Sequence, residues 1–319
     1  MFRILCLDGG GIKGAFTASV LATIEEEING PIGEYFDLIA GTSTGGILAL
    51  GVGLRFPAND IVGFYQKMGP KIFPVMGPLG IGGTLRQLFR PRYSRAKLRE
   101  ALTKVLSTKK LGESRNRLII PTYDAIGGRI FILKTAHHER FRYDYKALAV
   151  DVALATSAAP TYFEAARFPD HSGSSYVDGG VWSNNPVLAA IIEAYHFLKA
   201  PLADLEVLSV GTTFSPFNIA KHRNAGALQW NVGMINLMFE AQAEAASAQA
   251  NLLLKTPVLR INCLTTPGEY SLGDAAPKKI EALINLGRGE AVKKANLDAF
   301  KSRFFNPGKA EPFVPIFPV

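Results

Sequence analysis

The sequence predicts an α/β fold in which a mainly parallel central sheet is sandwiched between helices, in three layers. Two observations carry this expectation. Twice within the first 54 residues, a short apolar run leads through a glycine-rich turn into an apolar helix. This is the unit that builds parallel sheets through crossover helices. The 319 residues, 48% of them apolar, also supply enough core for one large domain or two modest ones.

In chain order, residues 2–7 read as a buried strand, 8–14 as a turn and the stretch to about residue 28 as a helix. The run 36–40 is a second strand, turned by residues 41–46 into an apolar helix ending near Leu54. Asn59 is placed to cap a helix running to about Ile72. Pro70, Pro74, Gly77, Pro78, Gly80, Gly82 and Gly83 then interrupt regular structure. Residues 69–93 are nonetheless too apolar for a solvated linker, and they are expected to form a lid. Ser94 caps a helix over 95–106, and 118–123 and 129–135 read as strands. A helix over 147–157 stops before Pro160. A loop containing Tyr176 to Gly180 follows, then a helix opening at Pro186, a strand at 205–210 and helical spacing over 227–254. Amphipathic helix returns over 278–286 and 290–300, so the expected organisation is a domain over 1–305 with an extended tail over 306–319. No internal repeat is present.

Net charge is +8, and between Arg86 and Arg117 eleven basic residues face two acids, Glu100 and Glu113. Such a region attracts anionic partners such as lipid headgroups or nucleotides, unless it is simply a solvated helix face. The stretch 38–54 lacks charge, but it is glycine-rich and short for a bilayer crossing. Cys6 and Cys263 sit in apolar, strand-like surroundings, which suits buried thiols in a reducing compartment; with no export signal in the opening residues, a cytoplasmic protein is expected.

The chemistry lies in three glycine motifs. Gly41-Thr42-Ser43-Thr44-Gly45 is a G-x-S-x-G sequence between an apolar strand and an apolar helix, where a strained turn projects a nucleophilic serine. The Thr44 N–H opens the following helix and faces an oxyanion with its positive end. Gly9-Gly10-Gly11-Ile12-Lys13-Gly14 satisfies G-x-G-x-x-G, the dinucleotide signature, yet the second strand lacks the terminal acid that reading wants. The same glycines can aim backbone N–H groups at an attacked ester carbonyl. Asp178-Gly179-Gly180 is by itself a common turn. Of the five histidines, only His196 and His222 follow this acid, and neither sits in a setting that resembles a catalytic loop.

Asp8-Gly9-Gly10-Gly11-Ile12-Lys13-Gly14, then Gly41-Thr42-Ser43-Thr44-Gly45, then Asp178-Gly179-Gly180 resembles, in order and spacing, the signature of the patatin-like phospholipases. Residues 155–160 and the segment at 274–277 are similar to that family too. The resemblance implies a Ser43–Asp178 dyad without histidine, metal or cofactor, an oxyanion hole at Gly10 and Gly11, and a phospholipase A-type cleavage of fatty-acyl esters through an acyl-enzyme. It also implies that Asp8 orders its turn and that Lys13 takes the place usually held by another basic residue. Short proteins of this kind resemble antiphage effectors switched on by cyclic oligonucleotides. The implied partners are a phospholipid or membrane surface as substrate and a cyclic dinucleotide as activator, with no nucleic-acid polymer. A lysophospholipid or neutral-lipid esterase, a nucleotide-binding module and a membrane-recruited scaffold stay open as rivals.

Overall fold

The computed structural model describes residues 1–74, 91–168, 173–216 and 227–319. At its centre is a sheet of seven strands among the described residues: β1 (Phe2–Leu7), β2 (Leu38–Gly41), β3 (Arg117–Asp124), β4 (Arg129–Lys134), β5 (Tyr176–Asp178), β6 (Leu205–Val210) and β7 (Leu259–Ile261). Their order is β4-β3-β2-β1-β6-β7, with β5 paired to β3. β3, β2, β1, β6 and β7 are parallel, and β4 and β5 run antiparallel to β3.

The helices are α1 (Gly14–Ile28), α2 (Thr44–Gly53), α3 (Ala58–Ile72), α4 (Arg95–Leu106), α5 (Ala149–Thr156), α6 (Gly180–Ser183), α7 (Val187–His196), α8 (Ala227–Leu253), α9 (Pro277–Val292) and α10 (Lys294–Phe300). Side chains alternate across a strand, so β1 sends Leu5 and Leu7 into one core and Ile4 and Cys6 into another. The first core is covered by α1 to α5 and α9, and the second by α7 and the end of α8. This is the expected sandwich. Against α1, α9 comes close enough that a Cβ on Gly287 would lie 2.3 Å from the Phe16 carbonyl oxygen.

β5 decides where the site lies. β4 occupies one edge of β3 from Ile119 to Asp124, and β2 holds the other edge only as far as Ile119. β5 therefore takes the free part of that second edge, in the lane of β2, with Asp178 opposite Thr122. The sequence pattern places Tyr176 to Asp178 in a loop. Three residues are too few for a periodic signal, and the same holds for β7, which was missed.

Two other expectations change. Asn59 is not the cap of α3: the helix opens behind Pro57, and the Ala58 N–H donates 2.8 Å to the Glu25 carboxylate of α1. The helix ends at Ile72 as the sequence indicates, so residues 69–72, which the lid range also included, are the last turn of α3, with Pro70 within it. Packing overrides the lost hydrogen bond there, because Gly69 lies against Ile12 and Ile280, and Ile72 is buried. Residues 75–90 of the candidate lid, with Arg86 and Arg90, lie outside the described residues. The basic stretch is also partly neutralised, Arg99 pairing with Asp151, Lys104 with Glu100 and Lys109 with Glu113.

At the C-terminal end, α10 runs into a π-helical turn, Lys301–Phe305, that stacks Phe304 on Phe300 and against Phe36. The tail beyond it is extended. It is held by the Ala310 N–H on the Glu34 carbonyl and the Ile316 N–H on the Ala136 carbonyl, each 2.8 Å. Phe304 is wholly buried. Phe304→Ala is expected to destabilise the protein by about 3–5 kcal/mol, read as a lowered denaturant midpoint; an unchanged midpoint would show that this aromatic stack is dispensable.

Candidate active site

Ser43 sits between the end of β2 and the start of α2 with φ 56° and ψ −122°. A side chain seldom adopts this conformation without surroundings that enforce it. Enforcement comes from close approach on both sides. A Cβ on Gly45 would lie 2.1 Å from the Leu7 carbonyl oxygen, and one on Gly41 2.1 Å from that of Gly45. Only glycine lets β1 and the serine turn meet so closely. The Ser43 N–H donates 2.9 Å to Thr156 Oγ1, which itself donates 2.6 Å to the Pro121 carbonyl, tying the turn to β3.

The Ser43 hydroxyl donates a 2.6 Å hydrogen bond to Asp178 Oδ2. Asp178 Oδ1 accepts the Gly180 N–H at 2.7 Å, and the Asp178 N–H is held by the Ala158 carbonyl at 3.0 Å. The carboxyl group is wholly buried. Burial raises its pKa to about 7, against the opposing pull of the Ser43 and Gly180 donors. Gly179 lies so close to β3 that a Cβ would fall 2.3 Å from the Pro121 carbonyl oxygen.

Ser43, Asp178, Gly10 and Gly11 line one cavity, whose other walls include Phe64, Ile72, Phe73, Leu98, Phe163 and Phe239. Its free volume is about 50 Å³, room for a water or two. The glycine loop is pinned at both ends: the Gly9 N–H bonds the Asn184 carbonyl and the Ile12 N–H the Leu272 carbonyl, each at 2.9 Å. Between them, the N–H groups of Gly10 and Gly11 have no partner among the described residues. Pinned flanks around two free donors beside Ser43 form the kind of arrangement that can accept a negatively charged oxygen.

A strained serine hydrogen-bonded to a buried acid, facing an apolar cavity, is the geometry of an acyl hydrolase, and the sequence model of the patatin-like phospholipases matches residues 5–191. The chain belongs to the patatin-like phospholipase family. It is a hydrolase acting on ester bonds of lipids. It is similar to the cGAMP-activated phospholipase of Pseudomonas aeruginosa, 33% identical over 276 residues that cover 84% of this chain and 80% of the relative. Proteins of the same name from Vibrio cholerae and Escherichia coli are 33% and 32% identical, covering 79% and 96% of this chain and 77% and 94% of theirs.

Two residues of the patatin-like motif face away from Ser43. Asp8 does more than order its turn: its carboxylate takes both terminal nitrogens of Arg260, at 2.9 and 2.5 Å, behind the glycine loop. Lys13 also points to that far side, its ammonium donating 3.3 Å to the Thr213 carbonyl. Gly14 keeps α1 close to α2, since a Cβ there would meet Thr44 Oγ1 at 2.2 Å. Arg260, Asn184 and Thr156 were not foreseen as parts of the site. Thr156 stood within a segment similar to the family, but nothing local marked its hydroxyl as the brace of the serine turn.

His196 is exposed on α7, and His137 is buried in contact with Glu193 and Thr135. Among the described residues no histidine lines the cavity; His171 and His222 lie outside them.

The Asp178 value sets two pH dependences. A base for Ser43 at Asp178 would work only when ionised, so kcat/KM on a soluble ester is expected to rise with pH through about 7 and then level. For stability the sign is opposite. The folded protein holds this proton more tightly than the unfolded chain, so wild type loses stability as pH rises from about 4 past 7, by roughly 4 kcal/mol in all. Asp178→Asn does not titrate there, so its melting temperature is expected to gain on wild type between pH 5 and pH 8. A gap that stayed constant with pH would refute the buried-acid account.

Proposed function

We propose that Ser43 and Asp178 are the catalytic dyad of a phospholipase A-type reaction. What carries this reading is the 2.6 Å hydrogen bond from a strained serine to a buried carboxylate of raised pKa. As Ser43 Oγ attacks the ester carbonyl carbon, its proton passes to Asp178. The carbonyl oxygen becomes an oxyanion and takes the N–H groups of Gly10 and Gly11, with the first N–H of α2 beside them. Collapse breaks the bond to the glycerol oxygen, which leaves with the proton held by Asp178. Water then gives a proton to Asp178 as it attacks the acyl-enzyme, and Ser43 recovers its hydrogen when the fatty acid departs. The apolar walls of the cavity fit an acyl chain.

The relatives named cGAMP-activated phospholipase support a second part of the proposal, that a cyclic dinucleotide switches this activity on. A site whose dyad is assembled but whose free volume is about 50 Å³ must open to admit a chain. No helix among the described residues is long and apolar enough to cross a membrane. The enzyme is proposed to work on membrane phospholipid from the bilayer surface, with the unpaired part of the basic stretch facing anionic headgroups.

Ser43→Ala and Asp178→Asn are each expected to lower phospholipid turnover by about a thousandfold or more, with unchanged circular dichroism, while His196→Ala keeps most of it. A fluorophosphonate should label wild type and not Ser43→Ala, and cyclic GMP–AMP should raise the wild-type rate. Wild-type turnover by Asp178→Asn would remove the acid from the mechanism. Alanine at Gly10 or Gly11 tests less cleanly: its Cβ would lie 2.2 Å from Thr212 Oγ1 or from the Leu272 carbonyl oxygen, moving the loop itself.

A further inference from the structure

Behind the glycine loop, on the side away from Ser43, lies a second cleft of about 1050 Å³. Three side-chain polar atoms among the described residues are buried without a hydrogen-bond partner: Asn184 Oδ1, Thr213 Oγ1 and Asn236 Oδ1. All three residues line this cleft. Leaving such an atom unsatisfied in the interior is costly, so their convergence on one space points to a ligand that completes them. Thr213 adds a separate sign. It is β-branched, buried and held at φ 71°, a strained conformation of the sort that collects at functional sites.

The wall is built. Asn236, Glu240, Glu244, Ser247 and Asn251 follow one another at helical spacing along α8, and all face the cleft. Phe214 and Tyr270 offer aromatic surface to it, and Lys13 offers an ammonium whose hydrogen bond among the described residues is to the Thr213 carbonyl. Arg260 is already taken by Asp8.

We propose that this cleft is the effector site and that it holds a guanine-bearing cyclic dinucleotide. The inference rests on the reading that such a ligand activates the enzyme, and it adds where the ligand sits and which base it must carry. Acceptors dominate the α8 wall, with the carboxylates of Glu240 and Glu244 beside the carbonyl oxygen of Asn236. Guanine presents N1–H and N2–H side by side on one edge, two donors that a carboxylate accepts together. Adenine presents one amino donor next to a ring acceptor, which a carboxylate repels. A phosphocholine headgroup has no N–H to give. Lys13 supplies the positive charge for a phosphate, and Phe214 and Tyr270 the faces on which bases stack.

The cleft also reaches the catalytic cavity. Phe239 and Leu272 border both spaces, and the Leu272 carbonyl holds the Ile12 N–H of the glycine loop. Asn184 lines the cleft with its side chain and pins Gly9 through its carbonyl. A ligand bonding these residues shifts the partition against which the acyl cavity is closed, which is the differential contact an activator requires.

The test measures binding by calorimetry on the Ser43→Ala protein, so its outcome does not depend on the dyad assignment. Cyclic GMP–AMP and cyclic di-GMP are expected to bind at least tenfold more tightly than cyclic di-AMP. Glu240→Gln, which turns one acceptor into a donor, is expected to erase that preference, and Asn236→Ala to weaken guanine-bearing ligands about tenfold. Lys97→Glu with Lys110→Glu, in the basic stretch, should leave affinity within twofold. The inference is overturned if no cyclic dinucleotide binds, if cyclic di-AMP binds as tightly as cyclic GMP–AMP, or if the basic-stretch variant abolishes binding while the α8 variants keep it.

Discussion

The hydrogen bond from Ser43 to Asp178 sets the demands that the rest of the structure meets. Its partners are 135 residues apart, and a carboxylate buried with so few donors persists only if its surroundings are rigid. The burial raises the acid's pKa to about 7, and nearby donors only partly oppose it. A cation in contact would pull that value back down and leave a weak base. The charges closest in sequence to the catalytic loops, Asp8 and Lys13, lie on the far side of the glycine loop, with Arg260 neutralising Asp8 there. Glycines make the loop thin enough for both arrangements to exist within a few residues, with a mostly apolar space in front and a charged, polar space behind.

Position follows from sheet geometry. β2 stops at Gly41 while β3 continues, and the vacant edge of β3 receives β5 from the opposite direction. Two chain segments thereby end in one lane, one carrying the serine and the other the acid. Thr156, bonded to both the Ser43 N–H and the Pro121 carbonyl, joins that lane to the strand beside it. Loss of β5 pairing would leave Asp178 on a free loop, and the strained Ser43 turn would lose the acceptor that rewards its orientation.

Much of this was legible before any coordinates. The two strand, turn, helix units forecast β1 to α1 and β2 to α2 because long apolar periodicity and glycine punctuation are local signals. Ser43, Asp178, Gly10 and Gly11 were legible as motif letters, and the cavity brings all four together. What stayed hidden was non-local. β5 and β7 are three residues each, too short to show a period. Arg260 carries no local signal until Asp8 stands beside it, and the polar stripe on α8 carries none until the cleft lies against it. Asn59 misled because its cap propensity is real, but Glu25 from a neighbouring helix does the work instead.

In the proposed mechanism, the burial that raises the pKa of Asp178 also leaves the site too small for its substrate. A mostly apolar cavity of about 50 Å³ keeps counter-charge away from the acid and has room for a water or two, yet it has no space for an acyl chain. Opening the walls to let lipid in would also admit water, which stabilises the ionised carboxylate and lowers its pKa. An acyl chain refills the opened cavity with hydrocarbon, so the substrate restores the dryness that its entry disturbed. Opening without lipid leaves a hydrated and weaker base. On the proposed mechanism the apolar part of the substrate therefore contributes to the strength of the base as well as to affinity.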